Sequence, residues 1–159
     1  MYMNIDIIAV GKIKEKFFRD AFEEYSKRLS PFVKLTTTEI PDEKIPEGAG
    51  EKIIEKIKDT EGEKILSKLK SGYVVSMCIE GKEYSSEEIA DFLEKTANSA
   101  SRITFIIGGS LGLSDKVKAR SDMHMSFGKI TLPHQLMRVV LAEQIYRGYK
   151  IINNQSYHK

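Results

Sequence analysis

Phe127-Gly128-Lys129-Ile130-Thr131-Leu132-Pro133-His134-Gln135 lies between a short β-type segment, Met123 to Phe127, and a long apolar helical run. Slightly upstream, the apolar segment Arg102 to Ile107 runs straight into Gly108-Gly109-Ser110-Leu111-Gly112. Two strand ends, each followed by glycine, therefore fall close together in the chain. In open α/β sheets small ligands bind at such strand ends, so the stretch from Arg102 to Lys159 reads as a cofactor pocket.

Within it, Thr131 is placed to cap the following helix, and Pro133 falls in the first turn, where a missing N–H does no harm. Gly128 lets the loop lay backbone N–H and C=O groups along a planar heterocycle, with Phe127, Ile130 and Leu132 as apolar cover. The competing reading is a loop that plugs the core. The Gly108 to Gly112 run is either a close approach to a ligand or a plain tight turn. It is not the dinucleotide fingerprint, because the GxGxxG spacing is missing, and no phosphate-cradling Gly-Lys-Ser/Thr occurs elsewhere.

Outward from this stretch the chain alternates. Asn4 to Val10 is a β-type run closed by Gly11, and Phe17, Phe18, Ala21, Phe22, Tyr25 and Leu29 have helical spacing. Val33 to Ile40 reads as a second strand, and Pro41 to Gly50 as a loop. Glu51 to Lys70 is a helix with a solvated charged face, and Tyr73 to Ile79 is an apolar strand that Glu80-Gly81-Lys82 turns. Ser85 and Glu88 have capping-box spacing ahead of a further helix, and Leu113-Ser114-Asp115 opens a short one. Strands alternating with helices predict a single α/β domain over residues 1–159, with a mostly parallel sheet flanked by helices on both faces.

At 159 residues, 41% apolar and 30% charged, the chain is ordinary globular material. One cysteine, Cys78, excludes an internal disulfide, fits a reducing compartment, and reads as a buried strand thiol. No run approaches the roughly 20 apolar residues of a membrane span, so the expected setting is the cytoplasm. The net charge of +2 is unevenly spread: residues 1–115 hold 17 Lys+Arg against 21 Asp+Glu, and residues 116–159 hold 8 against 2. A basic carboxy-terminal end suits a polyanionic partner, or simply a solvated helix face.

Leu136, Met137, Val139, Val140, Leu141, Ala142, Ile145 and Tyr146 place apolar residues on more than one side of the last helix, which therefore needs cover on two sides. The expectation is a homodimer through the helix from about Pro133 to Lys150. Glu143 and Arg147, four apart, read as a helix-surface ion pair. His124, His134 and His158 match no metal-ligand spacing, so no metal site is expected. His134 sits in the first helical turn, to cap or to line the loop. The tail Asn153 to Lys159 joins aromatic rings and cations, the combination that stacks on single-stranded nucleic acid.

Several short motifs together resemble the small SPOUT (α/β-knot) methyltransferases that modify N3 of a pseudouridine in large-subunit ribosomal RNA. They are Ala9-Val10-Gly11-Lys12, Ile79-Glu80-Gly81-Lys82, Ile107-Gly108-Gly109-Ser110, Leu132-Pro133-His134-Gln135, Arg138-Val139-Val140, Glu143-Gln144-Ile145-Tyr146-Arg147 and Tyr157-His158-Lys159. The resemblance spans essentially the whole chain. It implies a deep trefoil knot at the carboxy-terminal end and an S-adenosylmethionine site formed by Met77, Gly108, Phe127, Gly128, Lys129, Ile130, Thr131 and Leu132. The family often has leucine where Met77 stands, a nearly volume-conserving exchange.

For methyl transfer to pseudouridine N3, His158 is the candidate base or charge stabiliser, and Tyr157 positions the target. With no separate RNA-binding segment, recognition falls to the basic surface of a dimer on a preassembled ribosome, with Arg138, Arg147, Lys150 and Lys159 as phosphate contacts. The alternative is a non-catalytic ribosome-binding or RNA-binding protein of the same fold.

Overall fold

The computed structural model describes residues 2–159. In chain order the elements are β1 (Met3–Val10), α1 (Lys16–Leu29), β2 (Val33–Ile40), α2 (Glu51–Lys68), β3 (Tyr73–Glu83), α3 (Ser86–Thr96), β4 (Arg102–Ile107), α4 (Asp115–Arg120), β5 (Met123–Ser126) and α5 (His134–Ile152). The strands form one sheet in the order β2-β1-β4-β3-β5, and every pairing is parallel.

The strand sequences explain the layers. In β1, Ile5, Ile7 and Ala9 join one buried cluster, while Ile8 and Val10 join another. A strand apolar on both faces needs helices on both. Leu29 of α1, Ile89 and Leu93 of α3, and Leu141 and Ile145 of α5 cover the first face; Ile65 of α2 and Val117 of α4 cover the second.

Local signals set several element starts. Ser85 Oγ accepts from the Glu88 N–H at 3.1 Å, and Glu88 Oε2 accepts from the Ser85 N–H at 3.0 Å, the reciprocal cap that opens α3. Ser114 Oγ accepts from the Val117 N–H at 3.3 Å and opens α4. Elsewhere the structure departs from the local reading. Glu80-Gly81-Lys82 does not end its strand: β3 continues to Glu83. Its pairing with β5 jumps from Met77 opposite Met125 to Lys82 opposite Met125, so residues 78–81 swing out of the ladder. This excursion leaves Cys78 half-buried instead of enclosed in the sheet.

Thr131 does not cap α5. Pro133 occupies the N-cap position without a side-chain cap, and Thr131 is exposed two residues earlier. The helix is anchored instead through its own first turns. Gln135 Oε1 accepts from the backbone N–H groups of Lys14 (2.9 Å) and Glu15 (3.2 Å), which are otherwise uncapped donors at the start of α1. Arg138 donates to the Gly11 carbonyl (2.9 Å) and to Glu39 Oε2 (2.7 Å). Gly11 has φ +92°, and a Cβ there would lie 2.9 Å from His134 Cε1. The motif 132–135 thus packs against the motif 9–12.

The two apolar sides of α5 are covered within one chain, by α1 and by α3. Tyr146 packs near Tyr25 and Phe32, with ring centroids 6.4 and 6.5 Å away, and a Cβ on Gly148 would meet Leu93 at 2.8 Å. A second copy is therefore not needed on the flanks that α1 and α3 cover. Leu136, Val140 and Ile151 remain as a partly exposed apolar stripe.

Candidate active site

The carboxy-terminal ends of β3, β4 and β5 form the floor of a cleft. Met77 pairs with Ile107 on one side and Met125 on the other, and all three are buried. The turn 108–112 makes one wall and the loop 127–133 the other, giving a cleft of about 490 Å³, within the ordinary range for small-ligand sites. Both walls are shaped by tight backbone. A Cβ on Gly108 would lie 2.9 Å from the carbonyl carbon of Gly112, and Gly128 has φ +114°. Ser126, itself buried, accepts from the Gly128 N–H at 3.1 Å and fixes the start of the loop.

Met77, Gly108, Phe127, Gly128, Ile130, Thr131 and Leu132 all line this cleft, whereas Lys129 does not. Ile130 is 68% exposed and Ile79 51%, so two large apolar side chains flank the mouth with little protein cover. A planar apolar ligand seated between them would recover hydrophobic free energy that is otherwise lost to water. Cys78, Glu80 and Lys118 also line the mouth. Glu80 and Lys118 form an ion pair that lowers the carboxylate's pKa and raises the amine's. Burial pushes the Cys78 thiol up, which makes it a poor nucleophile.

His134 lines the cleft as well, a role the sequence left open. Burial first, and then the nearby Arg138 cation, lower its pKa. Arg138 is 2% exposed. It cannot contact phosphate, and that expectation is corrected: its charge is spent holding α5 to the β1–α1 connection and to Glu39 on β2.

The tail forms a second constellation, held by Glu143 and Arg147 of α5 and Glu87 of α3. The Tyr157 hydroxyl donates to Glu143 Oε2 at 2.8 Å, and the same oxygen accepts from Arg147 at 2.8 Å. The Arg147 guanidinium lies 4.6 Å from the Tyr157 ring centroid. Burial, then the Glu143 hydrogen bond, raise the Tyr157 pKa. His158 Nδ1 lies 3.2 Å from Arg147 Nη1, and Nε2 lies 2.7 Å from Glu87 Oε1. Arginine can only donate, so Nδ1 accepts and Nε2 carries the proton toward Glu87. Glu143 and Arg147 are therefore more than a surface pair: they clamp the tail. Neither Tyr157 nor His158 lines the cleft of its own chain. Lys150 is turned to Gln155 Oε1 at 3.0 Å.

Among the described residues there is no group of three or more His, Cys, Asp or Glu side chains able to hold a metal ion, and no helix is long and apolar enough to cross a membrane.

A wholly parallel sheet with a glycine-walled cleft at three strand ends defines an α/β protein whose small-ligand site lies at the carboxy-terminal ends of its strands. The family model described as "Predicted SPOUT methyltransferase" matches residues 3–158, and the chain belongs to that family. Proteins named "Ribosomal RNA large subunit methyltransferase H" are similar to it throughout. That of Lactobacillus acidophilus is 55% identical, that of Clostridium beijerinckii 52% and that of Listeria monocytogenes 50%, each match covering 99% of this chain and 100% of the relative. A solved structure of a probable methylase family protein from Haemophilus influenzae Rd KW20 aligns with TM-score 0.54 over 100% of this chain and 72% of that one. Its 13% identity carries the fold alone.

Proposed function

We propose that this chain, acting as one domain in the cytoplasm, transfers a methyl group from S-adenosylmethionine to N3 of a pseudouridine in large-subunit ribosomal RNA. The observation that carries the proposal is the cleft between the turn 108–112 and the loop 127–132, in a chain half identical over its full length to proteins named for ribosomal RNA methylation. The cleft fits the donor on chemical grounds. Ile79, Ile130 and Leu132 supply apolar surface for a purine, and the backbone of the loop supplies donors and acceptors for its edge. No metal enters the reading.

When bound, the sulfonium supplies an already electrophilic methyl group. The chain's share of the work is alignment, exclusion of water, and management of the N3 proton. His158 is assigned to the last task, and Tyr157 to positioning the target base. In the structure His158 Nε2–H is engaged by Glu87, so it must exchange that carboxylate for the substrate before it can act.

Because both tail residues lie away from their own cleft, the reading places them at the cleft of a second copy, in a homodimer through α5. The partly exposed stripe Leu136, Val140 and Ile151 is the surface offered for that contact. The same reading includes a trefoil knot. What supports it is membership of the SPOUT family. Arg147, Lys150 and Lys159 remain as candidate phosphate contacts.

The test is methyl transfer to ribosomes that lack the modification. Incorporation of label at N3 of the pseudouridine is expected. Absence of transfer together with absence of donor binding would leave only a non-catalytic ribosome-binding role.

A further inference from the structure

The connection from β1 into α1, Lys12 to Asp20, carries four cations against two carboxylates, although it lies in the part of the chain where acidic residues outnumber basic ones. Ile13 is buried, and the lysines on either side of it, Lys12 and Lys14, are exposed. No ion pair among the described residues involves either of them. Lys16 lies 2.6 Å from Asp20, but both side chains are more than half exposed, and such a pair is worth little. Phe17 is 64% exposed, and no aromatic ring among the described residues is more so. It leans on Phe18 with ring centroids 4.4 Å apart, which leaves its other face to solvent.

This segment is held in place before anything binds. Gln135 Oε1 accepts from the N–H groups of Lys14 and Glu15, and Arg19 donates to the carbonyls of Ile13 (3.4 Å) and Lys14 (3.0 Å). A preformed surface loses little ordering entropy on association. It also lies at the working end of the molecule. All strands are parallel and β1 neighbours β4, so residues 11–15 leave the sheet at the same end as the turn 108–112 and the loop 127–133. His134 joins the two places, because it lines the cleft and also packs against Gly11. Other cations near α5 are engaged within the chain: Arg138 is buried, Arg147 is held by Glu143, and Lys150 is turned to Gln155.

Resting on the proposal that the chain methylates ribosomal RNA, we infer that the segment Lys12 to Phe17 is a docking surface for unpaired ribosomal RNA beside the target nucleotide. Lys12, Lys14 and Lys16 meet phosphates, Lys16 by exchanging Asp20 for one, and a base stacks on the open face of Phe17. Aromatic rings beside cations are the combination that holds unpaired nucleotides, and the stack is tolerant of base identity. The charge favours a polyanion over a second copy of the chain, whose matching surface across a two-fold axis would carry the same lysines.

Methyl transfer to ribosomes that lack the modification tests this with the full chain. Failure of the unaltered protein to transfer a methyl group defeats the parent reading itself. Lys12→Gln and Lys14→Gln together should raise the KM for ribosomes about tenfold at physiological salt, and should lower the slope of log affinity against log salt by about 1.4, the share of two phosphates on a single strand. Phe17→Leu, which keeps apolar bulk without an aromatic face, should raise KM about fivefold or more, whereas Phe17→Tyr should stay within about twofold of the parent. In all three variants kcat at saturating ribosomes and the donor's Kd by calorimetry should change by less than about twofold, since the lost contacts are to RNA alone. An unchanged KM and salt slope, equal effects of leucine and tyrosine at position 17, or a loss confined to kcat or to donor affinity overturns the docking surface. A rise in KM that light scattering traces to dissociation into monomers assigns the surface to a second copy and overturns it as well.

Discussion

Gly11→Ala tests how the cleft wall is held. The loop 127–133 hangs between Ser126 and the start of α5, and α5 is fixed by the contacts of His134, Gln135 and Arg138 with the segment after β1. Alanine at position 11 incurs two separate costs. The backbone stands at φ +92°, a conformation that costs an L-residue about 1–2 kcal/mol. The new methyl group would lie 2.9 Å from His134 Cε1 and 3.4 Å from Nε2, an overlap worth about 1–2 kcal/mol once the ring moves aside.

Together these predict roughly 2–4 kcal/mol of destabilisation, or a fall in Tm of roughly 5–15 °C for a chain of this size. Differential scanning calorimetry reads it directly. The steric part involves His134 alone, so in a His134→Ala background the same substitution should cost about 1–2 kcal/mol less. A Tm within about 2 °C of the parent, or identical costs in both backgrounds, would refute the claim that the glycine exists to seat that ring.

Three further outcomes follow from the site. Ile130→Ser removes a side chain that is 68% exposed until a ligand covers it. Covering two-thirds of an isoleucine is worth about 1–2 kcal/mol, so the donor's Kd should rise about five- to thirtyfold by calorimetry, and an unchanged Kd would remove Ile130 from the site. His158→Ala should cut methyl transfer while leaving donor affinity nearly intact; full turnover would strike the tail from the mechanism. The depressed His134 pKa means that the folded state binds fewer protons than the unfolded one just below the ordinary value of 6.5. Stability should therefore decline as pH falls through that value, and His134→Gln should flatten the decline in urea titrations across the same interval.

The parts of this architecture that the sequence discloses are those written in adjacent residues. Ser85 and Glu88 announce α3 because a capping box is closed within four residues, and the alternating layers follow from strands apolar on both faces. The cleft was legible for the same reason: its walls are two short glycine-punctuated runs, and the resemblance of these runs to one family supplied their chemistry.

What stayed hidden depends on distant partners. Glu80-Gly81-Lys82 has the composition of a turn, yet β5 draws the chain beyond it back into the sheet. Arg138 looks like a surface cation until Glu39 and the Gly11 carbonyl are placed beside it. Nothing local reveals that α1 and α3 will flank α5, so the sequence alone does not say which of its apolar residues are left for a partner copy. Lys12 and Lys14 sit ahead of a helix with nothing local to mark them, and only the parallel sheet brings them to the end where the cleft opens.

The central claim is that the turn 108–112 and the loop 127–132 enclose an adenosyl sulfonium. A crystal structure determined with excess S-adenosylmethionine tests it most directly. The account predicts the purine against Leu132 and Ile130, with the sulfonium near the turn that follows β4. Donor bound elsewhere on the molecule, or a cleft closed by its own side chains with the donor in solution, would contradict it.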